Sequence, residues 1–300
     1  MRVVSLLPSA TELLCAVGAE SMLVGRSHEC DFPADIADRP VLTKQRTTAV
    51  ASRDIDTQVR ESLDTGNSLY ELDTDLLRDL EPDVILTQDL CDVCSIDLES
   101  VRAVASTLKQ KPRIVSLDPK TIFDVFDDLL TVARAVERED DGEQAMVALR
   151  ARYWEAIDYV NPYAVQPEVA FLEWADPPFA GGHWTPGLIE AAGGVHSLNE
   201  KGKPSREVSP EELIESMPLR VIVCPCGFDL ERTEQELDVL RETTWWKLLP
   251  AVQEGNVALV DGNAMFNRPG PRLVEAFRWL VAWIQDRPEV LPEDFPARFC

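Results

Sequence analysis

Several patterns that mark membrane and exported proteins are missing from this sequence of 300 residues. No apolar run approaches the roughly 20 residues that a membrane-spanning helix needs, so we expect no membrane insertion. The first residues, MRVVSLLPSATELL, lack a charged region followed by an apolar segment and a cleavage site. We therefore expect a cytoplasmic protein, or a periplasmic or otherwise extracytoplasmic one if a leader has been removed.

Residue types suited to catalysis and to disulfide bonding are also scarce. There are only 3 histidines, and the motifs of serine hydrolases, phosphate-binding loops, zinc proteases and dinucleotide-binding folds do not occur. The 7 cysteines are odd in number and scattered, whereas a secreted disulfide framework is dense and usually even. The sequence thus predicts a binding protein with reduced thiols rather than an enzyme.

Basic residues are few. The chain has 29 Lys and Arg against 53 Asp and Glu, which gives a formal net charge of −24. Such a field repels nucleic acid and anionic membrane surfaces. We therefore expect a small-molecule ligand and no nucleic-acid partner.

What the sequence does contain is an alternation of short apolar runs and helical patterns. The runs are β-branched and apolar on both faces, as in buried parallel strands, and the best of them are 3–7, 83–87, 113–117, 169–174, 220–224 and 256–261. Helical patterns lie between them at 9–19, 73–81, 209–217 and 272–285. This alternation predicts an α/β fold with parallel sheets.

The two halves of the chain show matching patterns. Residues 75–86 align without a gap with residues 212–223, and residues 111–118 resemble residues 254–261. Residues 121–140 form one amphipathic helical pattern, and no flexible linker accompanies it. We predict an N-terminal lobe at 1–120, a connecting helix at 121–141 and a C-terminal lobe at 142–300. Ligands of open α/β sheets sit at the carboxyl ends of the strands, so we expect a cleft between the lobes.

Four longer motifs resemble a known family. They are SHECDFP, VILTQDLCDVC, FAGGHWTPGLIEAAGG and DGNAMFNRPGPRLVE. Together with the opening RVVSLLPSATELLCAVGA, they are similar to the cobalamin-binding branch of the ABC-transporter substrate-binding proteins of the rigid-helix type. The resemblance implies two lobes, one long connecting helix, a ligand such as cobalamin, haem, a siderophore or a metal, and an ABC-transporter permease as partner.

Candidate ligand-binding residues of the first half lie in three segments. Pro8 and Ser9 begin the first helix, where Ser9 and Glu12 predict a capping box. His28 could contact the ligand or a metal centre that the ligand carries, although a backbone hydrogen bond explains it as well. The third segment follows a predicted strand and contains Asp89, Cys91 and Cys94.

The cysteine pairs leave several interpretations open. Cys91 and Cys94 in one half correspond in position to Cys224 and Cys226 in the other. The four thiols could line the cleft, bind zinc or iron together with His28, form a redox pair, or only pack a turn.

Candidates of the second half combine flat aromatic area with a few polar groups, as binding pockets do. They are Trp174, His183, Trp184, Cys226, Phe228, Asn263, Phe266, Asn267 and Arg268. Gly181 and Gly182 would let a backbone approach closely. The asparagines could bind the amide arms of a corrin, and Arg268 a carboxylate or phosphate. For each of them, packing or bonding to backbone is the alternative.

The preferred function is non-enzymatic binding of a large tetrapyrrole-like ligand in the cleft between the lobes, and cobalamin is the preferred ligand. The protein would serve as a transporter substrate-binding protein or as a cytoplasmic carrier or sensor. The alternative is a cytoplasmic metal- or redox-active protein that uses the four cysteines with His28 or His183.

Overall fold

The computed structural model describes residues 1–65, 68–88 and 98–300. The chain forms two compact units. Unit 1 consists of Met1–Pro119 and Phe123–Leu149, and unit 2 consists of Lys120–Ile122 and Arg150–Cys300. The predicted domain boundaries and the predicted cleft stay predictions.

Unit 1 is built on a parallel sheet. The strands of unit 1 are β1 Val3–Ser5, β2 Leu23–Arg26, β3 Thr43–Gln45, β4 Tyr70–Leu72, β5 Val84–Gln88 and β6 Arg113–Leu117. Within the described residues, the sheet has the order β2-β1-β5-β6 with every pair parallel, and β3 and β4 form a separate antiparallel pair. The helices before the connecting segment are α1 Pro8–Ala16, α2 Ser52–Asp64, α3 Thr74–Leu80 and α4 Leu98–Thr107.

Residues 121–141, the predicted connecting helix, contain α5 Ile122–Ala135 and the first residues of a further helix, α6 Glu139–Ile157. Glu137 lies between them with a left-handed backbone (φ 57°), which a continuous α-helix does not allow. The amphipathic pattern therefore predicted the helical residues of α5, but it placed the end of the helix about five residues too late.

Unit 2 contains a mixed sheet. Its strands are β7 Val169–Trp174, β8 Phe179–Ala180, β9 Arg206–Glu207, β10 Arg220–Val223, β11 Val257–Val260 and β12 Ala297–Phe299. Among the described residues the order is β12-β11-β10-β7-β8-β9, with β7, β10 and β11 parallel and the outer strands antiparallel. The helices are α7 Thr185–Ala191, α8 Pro210–Glu215, α9 Leu230–Glu242, α10 Pro250–Gln253 and α11 Leu273–Ile284.

The duplication predicted from the sequence is visible in the backbone. Strands β1-β5-β6 of unit 1 and β7-β10-β11 of unit 2 follow the same order. The carbonyl of Arg2 accepts hydrogen bonds from the N–H groups of residues 83 and 84 at 2.8 and 3.2 Å. The carbonyl of Glu168 accepts from residues 219 and 220 at 2.9 and 3.2 Å, in the same pattern.

The gapless alignment of the two halves is nevertheless wrong by one position at this turn. It pairs Glu81 with Pro218, whereas the backbone pairing matches Glu81 with Met217. Both residues have a left-handed backbone (φ 39° and 48°), and a proline follows each of them. The turn chemistry is therefore repeated even though the side chains differ.

Each unit has its own apolar core. In unit 1, Val4, Leu77 and Ile85 are buried between the parallel sheet and its helices. In unit 2, Leu172 and Trp246 belong to the corresponding core of the larger sheet. Among the described residues, none of the helices is both long and apolar enough to cross a bilayer. The predicted α/β fold with parallel sheets is confirmed.

Candidate functional site

The first predicted contact surface is the carboxyl edge of the unit 1 sheet. Strand β1 leads through Leu6 and Leu7 directly into α1. The predicted capping box at Ser9 is wrong, because α1 begins at Pro8 with Leu7 as its N-cap and no side chain caps it. A proline suits the first helical position, and the helix starts two residues earlier than a Ser9 N-cap predicts. Ser9 is buried inside the first turn, and Pro8 is half-buried.

His28 lies at the same edge, two residues beyond the end of β2. Its ring Nδ1 is 2.7 Å from the hydroxyl of Thr43, and its backbone N–H donates to that hydroxyl at 3.0 Å. The ring of Tyr70 lies 5.8 Å from the His28 ring, centroid to centroid. The antiparallel pair β3–β4 therefore holds the His28 ring, since Thr43 begins β3 and Tyr70 begins β4.

The environment of His28 favours the neutral imidazole. Burial lowers the pKa of the His28 ring below its usual value. The other ring nitrogen, Nε2, is buried and has no hydrogen-bond partner among the described residues. A buried polar atom without a partner is costly and therefore uncommon, which makes this nitrogen a candidate contact for a ligand.

The third predicted segment of the first half cannot be placed. Asp89, Cys91 and Cys94 lie outside the described residues, which on this strand end at Gln88. Their proposed roles as thiols of a cleft, a metal site or a redox pair stay predictions.

In unit 2, an aromatic pair joins the last residue of β7 to the loop that follows β10. The rings of Trp174 and Phe228 lie 5.0 Å apart, and both side chains are partly exposed. The guanidinium of Arg232 covers Phe228 at 4.7 Å from the ring centroid, and its Nη2 is 3.4 Å from the carboxylate of Glu236. The pair offers flat apolar area at the carboxyl end of two adjacent parallel strands.

Trp184 is a packing residue in this structure. Only 6% of it is exposed, and its indole Nε1 donates to the carbonyl of Phe266 at 2.7 Å. Phe266 is itself fully buried against Phe171, with ring centroids 5.1 Å apart. His183 stacks on Trp184 at 5.5 Å and stays partly exposed. Of these aromatic and imidazole side chains, His183 is therefore the better placed to meet a ligand.

The two glycines of this loop pack against the chain itself. A Cβ on Gly182 would collide with the backbone of residues 203–205, and one on Gly181 would approach Phe171 at 2.7 Å. The close backbone approach expected at Gly181 and Gly182 thus occurs within unit 2, and it explains these glycines without a ligand.

The loop after β11 is tied to the loop after β10 by side-chain amides. Asn267 donates from Nδ2 to the carbonyls of Cys224 and Gly262, both at 3.0 Å. The carbonyl oxygen of the Asn263 side chain accepts from Nη2 of Arg268 at 2.9 Å, and Arg268 is only 6% exposed. These contacts show that Asn267 and Arg268 hold the loop in shape, and the side chains of Asn263 and Asn267 are both partly exposed.

The buried thiol of Cys224 is poorly suited to metal binding. Cys224 is fully buried, and burial raises its pKa well above the usual value, with Glu173, Cys226 and Asp261 adding to the effect. The neutral thiol is a poor metal ligand and a poor nucleophile. Nowhere in the described parts of the chain do three His, Cys, Asp or Glu side chains form a group that could hold a metal ion.

The structure adds residues that the sequence did not single out. Thr43 and Tyr70 reach His28 from far along the chain, and no local pattern marks them. Glu173 is different, because a charge inside the apolar strand β7 is visible in the sequence. Its carboxylate accepts from the Ser205 hydroxyl at 2.8 Å, and burial raises its pKa. Glu173 thereby fixes the 203–205 segment beside the Gly182 loop.

Comparison with known proteins agrees with this architecture. The profile of a family described as periplasmic binding protein matches residues 3–264. A vitamin B12-binding protein of Vibrio cholerae serotype O1 is 23% identical over 288 residues, which are 95% of this chain and 89% of the relative.

Solved structures show the same fold. Periplasmic vitamin B12-binding protein BtuF of Vibrio cholerae has a TM-score of 0.68 at 19% identity, over 96% of this chain and 98% of that one. Periplasmic haem-binding protein RhuT from Roseiflexus sp. RS-1, in its apo form, has a TM-score of 0.72 at 19% identity, over 95% and 98%. Both names describe periplasmic proteins, so they give no support to the expectation of a cytoplasmic protein. The resemblance found in the sequence motifs is confirmed.

Proposed function

Because the chain belongs to the family of periplasmic binding proteins, we propose that it binds a large tetrapyrrole-like ligand, and that this ligand is cobalamin rather than haem. The family assignment confirms the prediction of a binding protein rather than an enzyme. The ligand itself is proposed from the chemistry of the strand-end loops and from the vitamin B12-binding relative.

The observation that carries the proposal is the partly exposed pair Trp174–Phe228 at the carboxyl end of β7 and β10. Large planar ligands gain most from flat aromatic side chains, which bury much area and lose little conformational freedom. His183 and Asn263, which are also partly exposed, supply polar groups in the neighbouring loops. A mostly apolar wall with a few polar groups is typical of a small-molecule site.

The charges favour cobalamin over haem. Haem carries two carboxylates, and its binding calls for cations that are available to them. In unit 2, Arg232 is paired with Glu236, and Arg268 is buried and bound to Asn263. The net charge of −24 also repels an anionic ligand. A corrin, whose margin carries amide arms, suits such a surface better.

The proposed setting is that of a transporter substrate-binding protein. In that role the protein would deliver its ligand to an ABC-transporter permease from the periplasm or a comparable extracytoplasmic space. A cytoplasmic carrier or sensor is the alternative setting, and it leaves the proposed ligand unchanged.

The proposal is tested by titrating purified protein with cyanocobalamin and, separately, with haem. We expect saturable cobalamin binding with a Kd of about 1 µM or lower, which corresponds to roughly −8 kcal/mol. The melting temperature should rise with cobalamin concentration, since a ligand that binds only the folded state stabilises it. Absence of cobalamin binding, or clearly tighter binding of haem, would contradict the proposal.

A matched pair of variants locates the site. Phe228→Ala removes one ring of the aromatic pair, and we expect about tenfold weaker cobalamin binding, or roughly 1.4 kcal/mol. Tyr163→Ala removes an aromatic ring that is 95% exposed in the segment before β7, and it should bind as the unaltered protein does. Equal affinity of all three proteins would place the ligand elsewhere.

A further inference from the structure

Three polar side chains of unit 1 form a closed hydrogen-bond chain that ends at His28. The Thr43 hydroxyl lies 2.9 Å from the Ser27 hydroxyl and 2.7 Å from Nδ1 of His28, and it accepts the backbone N–H of His28. The Ser27 hydroxyl also accepts the backbone N–H of Glu29 at 3.3 Å. Ser27 and Thr43 are both buried.

Two proton arrangements are conceivable, because each hydroxyl has one proton and two lone pairs. In the first, Nδ1 of His28 carries the ring proton and donates it to Thr43, which donates to Ser27. Both lone pairs of Ser27 are then occupied, and its own proton has no acceptor among the described residues. A buried donor without an acceptor costs free energy, so this arrangement is disfavoured.

In the second arrangement every hydroxyl proton is used. Ser27 donates to Thr43, and Thr43 donates to Nδ1 of His28. The two lone pairs of Thr43 accept the Ser27 proton and the backbone N–H of His28. The ring proton of the neutral imidazole must then sit on Nε2, the buried nitrogen that has no partner among the described residues.

We infer that His28 is a hydrogen-bond donor to an oxygen atom of the ligand, and that Thr43 is the residue that positions it as one. This inference rests on the proposed function. An N–H on Nε2 recognises a carbonyl or carboxylate oxygen, such as an amide oxygen on the margin of a corrin. It does not coordinate a metal centre, because coordination needs the lone pair of that nitrogen. The metal-coordinating alternative for His28 is thereby replaced.

The tautomer is measured without any ligand. The chain has only 3 histidines, so ¹⁵N-edited NMR of histidine-labelled protein resolves each ring, with His28→Gln identifying the His28 signals. We expect the proton of His28 on Nε2 in the unaltered protein and in Thr43→Ser. Thr43→Val removes the donor to Nδ1, and the proton should redistribute towards Nδ1. A proton on Nδ1 in the unaltered protein would overturn the inference.

Binding measurements test the role of the donor. Cyanocobalamin is a suitable probe, because both axial positions of its cobalt are already occupied. We expect His28→Ala and Thr43→Val to weaken its binding about tenfold, whereas His28→Gln, whose amide can present an N–H, and Thr43→Ser should retain most of the affinity. Aquocobalamin, which has an exchangeable axial water, should bind the unaltered protein with the same affinity and without a change in its cobalt absorption bands.

The outcomes separate this inference from the proposed function. If His28→Ala binds cyanocobalamin as tightly as the unaltered protein but no longer binds aquocobalamin, His28 is an axial ligand of the cobalt. That result would overturn this inference and leave the proposed function standing. A protein that binds neither cobalamin nor haem would refute the proposed function, and the ligand part of the inference would fall with it. The NMR result would still decide the tautomer.

Discussion

At the scale of single residues, the strand-end loops contain two kinds of polar and aromatic side chain. Trp184, Asn267 and Arg268 are buried or bound to their own loops, and they maintain the shape of the surface. His28 has a ring nitrogen without a hydrogen-bond partner among the described residues, and the pair Trp174–Phe228 has exposed ring area. We therefore expect substitutions in the first group to lower stability and those in the second to lower affinity.

Among the described residues, the carboxyl of Asp128 in α5 has a pKa raised into the neutral range. Burial raises its pKa to about 7, and the neighbouring carboxylates of Asp124, Asp118 and Asp127 add to the effect. Its Oδ2 is buried and has no hydrogen bond to any residue in the described part of the chain. Folding therefore favours the protonated carboxyl, since the pKa in the unfolded chain is about 3.8.

We predict that Asp128→Asn raises the free energy of unfolding more at pH 8 than at pH 5. The stabilising effect of the protonated carboxyl is complete below about pH 4 and is lost as the pH rises to about 7, so the charged form is penalised above that. The gain at pH 8 should be on the order of 1–2 kcal/mol, because partial exposure screens the repulsion. Urea unfolding of both proteins at the two pH values measures it.

Asp79→Asn in α3 is the matched control for this measurement, since Asp79 is an exposed helical carboxylate of the same unit. It should change stability little and equally at both pH values. A gain for Asp128→Asn that does not depend on pH would show that its carboxyl does not titrate near neutrality.

Residue roles could be predicted from the sequence only in part. The types of side chain near a ligand follow from motifs such as SHECDFP, so His28 could be named. Its partner Thr43 lies 15 positions away, and the Tyr70 ring is 42 positions away. Whether Trp184 or Trp174 is exposed depends equally on distant packing, namely on Phe266 and Phe228.

At the scale of elements, the strands and helices that hydrophobic periodicity predicted are present, whereas α2, α4 and α9 were not predicted. The apolar runs at 113–117 and 169–174 form strands β6 and β7 with the expected bounds, although β6 is buried on one face only. Element ends were harder to predict, because they depend on single backbone conformations. Pro8 moved the start of α1, and the left-handed Glu137 separated α5 from α6.

The junction between the loops after β10 and β11 gives a prediction at this scale. A Cβ on Gly262 would strike the carbonyl of Pro225, and the Gly262 N–H donates to the carbonyl of Phe228 at 2.8 Å. Gly262→Ala must therefore push the two loops apart. We expect a stability loss of roughly 1–3 kcal/mol, as for other overpacked sites, and weaker cobalamin binding because Phe228 moves.

Gly187→Ala is the control for this substitution. Gly187 lies in α7, where a Cβ would meet only the flexible side chain of Lys201 at 3.8 Å. Alanine should be neutral there or stabilise by up to about 1 kcal/mol. If thermal unfolding gave the two variants the same stability and the same affinity, the contact between the loops would not shape the site.

At the scale of the whole molecule, the chain is a duplication with a strongly acidic charge. The order of the central parallel strands and the turn before β5 and β10 are repeated in both units. The duplication could be predicted from the sequence. The correct register at the turn is the one that aligns Pro82 with Pro218, which the gapless alignment of the apolar runs does not do. The repeat brings predicted ligand-binding loops to the carboxyl edge of the sheet in each unit.

Amide hydrogen exchange with and without cyanocobalamin tests this central claim most directly. Binding is verified by absorption in the same samples. We expect slower exchange at residues 27–31 of unit 1 and at residues 224–228 and 261–268 of unit 2. Exchange should be unchanged in the exposed segment 158–166 and in β12. Bound cobalamin that leaves these strand-end loops unprotected, or that protects only segments outside them, would contradict the account.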